Sequence, residues 1–143
     1  MNTGMDSKEL AELKAKADAD DPAAMFAYAD FVRTSNPAEA DKYLVLAAML
    51  GNPQANARLG DKYMDKNDHD SAYHYYRVAA KAGITDCAVK VAVMNLSIDE
   101  NAAIRDLEEL AESGVRSACT ALAAYYKALG NRKQYNFWNS FIK

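Results

Sequence analysis

An alanine-rich segment that ends in glycine occurs three times along the chain, and this repeat constrains the fold more than any other feature. The three copies cover residues 40–51, 72–83 and 103–114. Their final residues, Gly51, Gly83 and Gly114, are separated by 32 and 31 residues. Self-similarity at a fixed period of this length indicates an array in which each repeat is one small unit that stacks on its neighbours.

Apolar and small residues recur within each copy at spacings of three and four. Four positions after each final glycine comes a small residue, Ala55, Cys87 or Ala118, and a large apolar residue follows four positions later. Spacings of three and four place side chains on one face of a helix, whereas a strand requires a spacing of two. Alanine supplies 28 of the 143 residues, and it favours helices that pack closely. Each repeat is therefore predicted to be a pair of helices.

Proline and glycine mark the expected helix ends. All three prolines follow Asp or Asn, in Asp21-Pro22, Asn36-Pro37 and Asn52-Pro53. Asp and Asn cap the free amides of a helix start, and proline is tolerated at the first helical position. The repeat glycines stand where a left-handed C-terminal cap is needed. We predict nine helices, at about residues 7–19, 22–33, 37–50, 53–65, 69–82, 85–96, 100–113, 116–128 and 131–143.

The two ends of the array are predicted to be capping helices. One register position is shared by Leu13, Leu44, Tyr76, Leu107 and Trp138. The last helix places Phe137, Trp138, Phe141 and Ile142 on one face and polar residues on the other, as terminal repeats require for solubility. We expect a single helical-repeat domain over residues 1–143. It would comprise a capping helix at 7–19, repeats at 21–51, 52–83 and 84–114, and a C-terminal repeat with its capping helix at 115–143.

Two consecutive segments resemble a known family. They read Ala55-x-x-x-Leu59-Gly60-x-x-Tyr63 and Ala72-x-x-Tyr75-Tyr76-x-x-Ala79-Ala80-x-x-Gly83. This pattern resembles Sel1-like repeats, a branch of the tetratricopeptide superfamily, over about residues 21–143. The connections inside the repeats are shorter than is usual for Sel1-like units. The resemblance implies an all-α, right-handed α-solenoid of antiparallel helix pairs. It also implies an adaptor or scaffold that binds a protein or peptide on a concave surface lined by the first helix of each pair, with no catalysis and no cofactor.

The groove positions of tetratricopeptide repeats, projected onto this register, give candidate partner-binding residues. These are Phe26, Asp30, Arg33, Asp61, Met64, Val93, Thr120 and Lys127, and the same projection also selects Ala57, Val89, Leu96 and Ala124. An apolar centre with charged ends suits an amphipathic helix or an extended peptide. We expect Val93 and Met64 to be exposed, and Val89 and Leu96 to be buried inside the solenoid.

Other residues with possible chemistry are interpreted as structural. Asp68, His69, Asp70 and His74 lack the spacing of a zinc site, so we expect a helix cap and solvated histidines, with no bound metal. Cys87 and Cys119 are expected to be buried thiols outside any disulfide. Tyr73, Tyr125 and Tyr135 lie off the core register and are expected to be exposed. Glu108, Glu109 and Glu112 form an acidic strip that we expect on a solvated convex face.

The overall charge argues against several classes of partner. The net charge is −3 and the charges are interspersed, whereas binding to a nucleic-acid backbone needs clustered Lys and Arg. No apolar run approaches the length of a membrane span or a signal peptide. We therefore expect a cytoplasmic protein, of the kind common among bacterial members of the family, that is a monomer or weak homodimer. A structural subunit that self-associates is the alternative, and an enzyme with a pocket between helices is a weaker one.

Overall fold

The computed structural model describes residues 6–142, and these residues form nine α-helices and no strand. The helices are α1 Ser7–Asp18, α2 Pro22–Val32, α3 Pro37–Met49, α4 Pro53–Asp65, α5 His69–Lys81, α6 Thr85–Asn95, α7 Glu100–Glu112, α8 Arg116–Ala128 and α9 Arg132–Asn139. The all-α prediction is confirmed, and the first eight helices agree with the predicted bounds to within one residue. The predicted last helix was too long, because α9 ends at Asn139 and a turn follows. Residues 1–5 and Lys143 lie outside the described part.

The predicted caps explain where most helices begin. Asp21 accepts hydrogen bonds from the amides of Ala23 and Ala24, at 3.1 and 3.3 Å. Asn36 and Asn52 act in the same way at the starts of α3 and α4. In all three helices proline takes the first position. These interactions satisfy backbone amides that have no partner within the helix.

The repeat glycines end the second helix of each pair with a left-handed backbone. Gly51, Gly83 and Gly114 have φ angles of 89°, 104° and 98°, which a residue with a Cβ atom adopts only under strain. Asp20 and Asn67, residue types that tolerate a left-handed backbone, have φ angles of 65° and 61° after α1 and α4. The short turns that result let each helix fold back on the one before it.

The helices fall into two compact units, one up to Ala79 and the other from Ala80. In the first unit, α1 packs on α2, α2 on α3 and α3 on α4. Its core includes the register residue Leu44 together with Ala47, Ala55 and Leu59. Small side chains at the contacts allow close packing of the backbones.

The contact between α4 and α5 depends on a glycine. A Cβ atom added to Gly60 would lie 2.5 Å from two ring carbons of Tyr76, well inside normal carbon–carbon contact. Tyr76 is buried, and its hydroxyl donates a hydrogen bond to Asp61 at 2.5 Å. The Leu59-Gly60 pair therefore makes room for an aromatic ring from the second helix of the same repeat.

The second unit repeats this arrangement with α6 to α9. Each helix packs on the next, and α6 also packs on α8. Leu107 and Leu122 are completely buried at its centre. Trp138 of α9 is 7% exposed and belongs to the same core, as its register position predicted.

The predicted apolar face of the last helix is corrected by the structure. Trp138 is buried, but Phe137 and Phe141 are each 52% exposed. The physical reason lies in the repeat register: Phe141 is equivalent to Ala47 of α3 and Leu110 of α7, which pack in the cores together with residues of α4 and α8. Within residues 6–142 no helix follows α9 to cover Phe141.

Candidate functional site

The eight residues predicted to bind a partner are all at least partly accessible. Six are exposed and two, Phe26 and Met64, are half-buried. Val93 is exposed, as predicted, at 42% of its surface, and Val89 is buried, as predicted, at 6%. Met64 was expected to be exposed and Leu96 to be buried, but both are half-buried.

In the first unit the face of α2 and α4 carries an ionic cluster. The Arg58 guanidinium lies over the Phe26 ring, 4.9 Å from its centroid. The same Arg58 donates a hydrogen bond to the Asp30 carboxylate at 2.7 Å, and Arg33 lies 3.7 Å from that carboxylate. Exposed ion pairs of this kind contribute roughly 0–1 kcal/mol each to stability. The cluster fixes the orientation of polar groups on this face more than it stabilises the fold.

Arg58 is the residue that the groove projection missed in this unit. It precedes Leu59 directly, outside the projected positions, and its partner Asp30 is 28 residues away in sequence. The sequence offered one signal. The first helix of the preceding repeat carries an aromatic residue, Phe26, and an aspartate, Asp30, with which an arginine such as Arg58 can interact. Arg58 also lines a pocket of about 220 Å³ with Arg33, Lys62 and Asp41. Lys62 and Asp41 form an ion pair.

Three tyrosine–carboxylate pairs hold helices of the first unit together. Tyr28 donates to Glu39 at 2.6 Å and Tyr43 donates to Asp18 at 2.5 Å. The pKa of Tyr28 is raised to about 12, by burial first and then by the Glu39 hydrogen bond. The pKa of Tyr43 is raised to about 12, by the Asp18 hydrogen bond first and then by burial.

The third pair, from Tyr76 to Asp61 at 2.5 Å, affects the candidate site directly. Asp61 is exposed on the first-helix face, but one of its oxygens already accepts a hydrogen bond from the Tyr76 hydroxyl. Asp61 therefore positions the helix pair whether or not it contacts a partner.

In the second unit the face of α6 and α8 combines an aliphatic and a basic group. Val93 is 42% exposed, whereas Val89 and Ala92 of the same helix are buried. Thr120 is exposed, and its hydroxyl donates to the Arg116 carbonyl at 3.3 Å. The Lys127 ammonium lies 5.8 Å from the centroid of the Tyr135 ring.

A second surface, which the sequence reasoning did not anticipate, lies between α7, α8 and α9. It is a groove of about 680 Å³. Its lining residues are Glu108, Ala111, Glu112, Cys119, Phe137, Trp138 and Phe141. We call it the C-terminal groove. One feature of the sequence indicates this groove. Phe141 is a bulky aromatic residue at the register position that Ala47 takes in α3 and Ala79 takes in α5.

The acidic strip does not lie wholly on a solvated face. Glu108 is half-buried and forms one side of the C-terminal groove with Glu112, whereas Glu109 is exposed and lies outside it. The negative charge of Glu108 contributes, after burial, to raising the pKa of Tyr126.

The residues interpreted as structural are placed as follows. Asp68 caps α5 by accepting hydrogen bonds from the Ser71 amide and hydroxyl, which lower its pKa. His69, Asp70 and His74 are exposed. Over residues 6–142 no group of three His, Cys, Asp or Glu side chains is placed to hold a metal ion.

Cys87 and Cys119 are buried, as expected, and neither is in a disulfide. Tyr73, Tyr125 and Tyr135 were expected to be exposed, but they are half-buried because flanking side chains cover part of each ring. Arg77 lies over the Tyr73 ring, for example, 5.6 Å from its centroid. No helix in the described part of the chain is long and apolar enough to cross a membrane.

Several solved structures are similar to this one. A Sel1 repeat protein from Oxalobacter formigenes is 26% identical, with a TM-score of 0.70, over 78% of this chain and 94% of that chain. The protective antigen c5321 of uropathogenic Escherichia coli, which has an SLR fold, is 21% identical with a TM-score of 0.72. The immunity protein Pa5087 from Pseudomonas aeruginosa is 20% identical with a TM-score of 0.59.

The extent of these similarities differs. The alignment with c5321 covers 92% of this chain but 33% of that protein, and the alignment with Pa5087 covers 98% of this chain and 60% of that one. No family model and no curated protein matches the sequence.

Proposed function

We propose that this chain, which has the all-α solenoid fold of Sel1-like repeat proteins, is a protein-interaction module that binds a partner on the first-helix face. This face is defined by Phe26, Asp30, Arg33, Asp61, Met64, Val93, Thr120 and Lys127. No catalytic step and no cofactor belong to the proposal. The protein acts by surface complementarity.

The observation that carries the proposal is the accessibility of the first-helix face. None of its eight residues is buried, although they lie on helices whose other faces form the two cores. Val93 is the clearest case, because 42% of this aliphatic side chain is exposed near the end of α6. Charged groups would add electrostatic contacts beside the apolar ones, from Asp30 and Arg33 in the first unit and from Lys127 in the second.

Matched substitutions test which surface binds. Val93→Lys should keep the melting temperature within about 2 °C of the wild type, because the ammonium stays in water. It should also abolish capture of the partner from a lysate of the native host. Ile98→Lys is the control, since Ile98 is 75% exposed in the turn after α6. The control should keep the partner, because it adds the same charge off the face.

A second matched pair probes the first unit. Met64→Glu is expected to weaken capture, while Met49→Glu, at a side chain 76% exposed on α3, is not. If Glu108→Lys with Glu112→Lys loses the partner while Val93→Lys and Met64→Glu retain it, binding does not use the first-helix face. A Met64→Glu variant that melts much earlier than wild type would assign Met64 to the core.

Self-association is a second candidate, favoured by exposed apolar residues on α3. Val45 and Met49, in the last two turns of that helix, are 40% and 76% exposed, and Leu50, directly after it, is 51% exposed. Sedimentation velocity over a hundredfold range of protein concentration tests whether the chain self-associates. A dimer that Met49→Lys dissociates would favour the structural-subunit function, and a monomer throughout would reject it.

A further inference from the structure

The C-terminal groove combines an apolar floor and wall with an acidic rim. Its wall is formed by Phe137 of α9 and Phe141 of the turn that follows, which stack edge to face with ring centroids 5.2 Å apart. Its floor includes Trp138 and Cys119, both buried. Its volume of about 680 Å³ is within the size range of known binding clefts.

The repeat register indicates what shape fits this groove. Phe141 is equivalent to Ala47 in α3 and to Leu110 in α7. Ala47 lies in one core with Ala55 of α4, and Leu110 packs against the core that includes Ala118 of α8. The position held by Phe141 is therefore one that a following helix covers in the earlier repeats. A helix from outside residues 6–142 would meet the same kind of ridge at the C-terminal end of α9.

The charge of the rim indicates the chemistry of that helix. Glu108 and Glu112 are four residues apart on α7, so their carboxylates lie on one side of the helix. Within residues 6–142 neither forms an ion pair, since the ion pairs there involve Glu39, Asp30 and Asp41. Two aligned carboxylates beside an apolar wall attract cations spaced one helical turn apart and repel acidic side chains.

We propose that the C-terminal groove is a docking site for an amphipathic helix of a partner protein, with apolar residues facing Phe137 and Phe141 and Lys or Arg facing Glu108 and Glu112. This site is separate from the first-helix face. It stands if the first-helix proposal fails, because the test below uses synthetic peptides and does not depend on the native partner.

A display library of helical peptides tests the proposal. The peptides carry a fixed stripe of Leu at helical spacing, and the positions beside the stripe vary among Lys, Gln and Glu. On the wild-type protein, Lys should be enriched over Glu by about tenfold at low salt. Two peptide Lys side chains would be attracted to Glu108 and Glu112, whereas two Glu side chains would be repelled by them. The preference should shrink at about 1 M salt, where charges are screened beyond roughly 3 Å.

Three variants locate the binding. Glu108→Lys with Glu112→Lys should reverse the preference toward Glu. Glu109→Lys is the matched control on the same helix, and it should leave the preference for Lys intact. Phe137→Ser with Phe141→Ser should weaken binding of the best peptide at least tenfold, with circular dichroism confirming that the helices remain.

Trp138 provides an independent readout, because it is the one tryptophan in the sequence and it lines the groove. Its emission should shift when the enriched peptide is titrated into the wild-type protein. Equal enrichment of Lys and Glu, an effect of Glu109→Lys as large as that of the double reversal, or saturation without any change in Trp138 emission would each overturn the proposal. A dimer that competes with the peptide would assign the groove to a second copy of the chain and overturn it as well.

Discussion

Replacing Gly60 by alanine tests how the repeat packs an aromatic ring between two helices. The new Cβ atom would lie 2.5 Å from Cδ1 and Cε1 of Tyr76 and 3.1 Å from its Cγ. Carbon atoms pack comfortably at about 3.5–4.0 Å, so the ring and the α4 backbone must separate by about 1 Å. Tyr76 cannot yield easily, since it is 3% exposed and its hydroxyl is bonded to Asp61 at 2.5 Å.

The expected size of the effect is a balance of two terms. Overpacking of a core typically costs about 1–3 kcal/mol, and the better helix propensity of alanine returns up to about 1 kcal/mol. If alanine gains the full ~1 kcal/mol, the net cost is about 0–2 kcal/mol. Because Tyr76 is held by burial and by Asp61, we expect Gly60→Ala to lower the free energy of unfolding by the upper part of that range, about 1–2 kcal/mol. For a chain of this size, that corresponds to a fall of roughly 3–8 °C in Tm.

A double-mutant cycle measured by urea denaturation separates the clash from other causes. Tyr76→Leu places at this register position the residue found at Leu44 and Leu107, and it removes the ring. In that background Gly60→Ala should be neutral or stabilising by up to about 1 kcal/mol. If the two changes instead add to within about 0.5 kcal/mol, the Cβ–ring clash is not what selects glycine here, and the packing argument is wrong.

Three further outcomes follow from the cores and the charged groups. Trp138→Ala should cost about 3–5 kcal/mol, because the side chain is 7% exposed; an unchanged melting curve would show that the register fails at α9. Folding raises the pKa of Tyr28 and Tyr43 to about 12, so their contribution is full below about pH 10 and is lost as the pH rises through about 12. Denaturation at about pH 9 and 11.5 should show this loss, and a Tyr28→Phe/Tyr43→Phe variant should lose less. Chelation should leave Tm unchanged, whereas a fall that zinc reverses would implicate the residues from Asp68 to His74.

The candidate site was predictable in part. The groove projection placed Val93 and Lys127 correctly on an accessible face, because a side chain's direction on a regular helix follows from its position in the repeat. It missed Arg58, whose place beside Asp30 depends on how α4 packs against α2. The projection also selected Asp61 as a binding residue, but it did not predict the hydrogen bond that Asp61 accepts from Tyr76. That bond joins two helices and depends on how they pack.

The amino-acid sequence determined the helices and their ends, because those depend on interactions within a few residues. Asp21 and Asn52 reach amides two or three positions ahead, and Gly51 adopts its left-handed backbone locally. The tertiary structure decided which apolar faces are covered. Phe141 has the helical spacing of a core residue, yet it is 52% exposed. Burial depends on whether another helix lies against that face, and the spacing of residues along one helix does not contain that information.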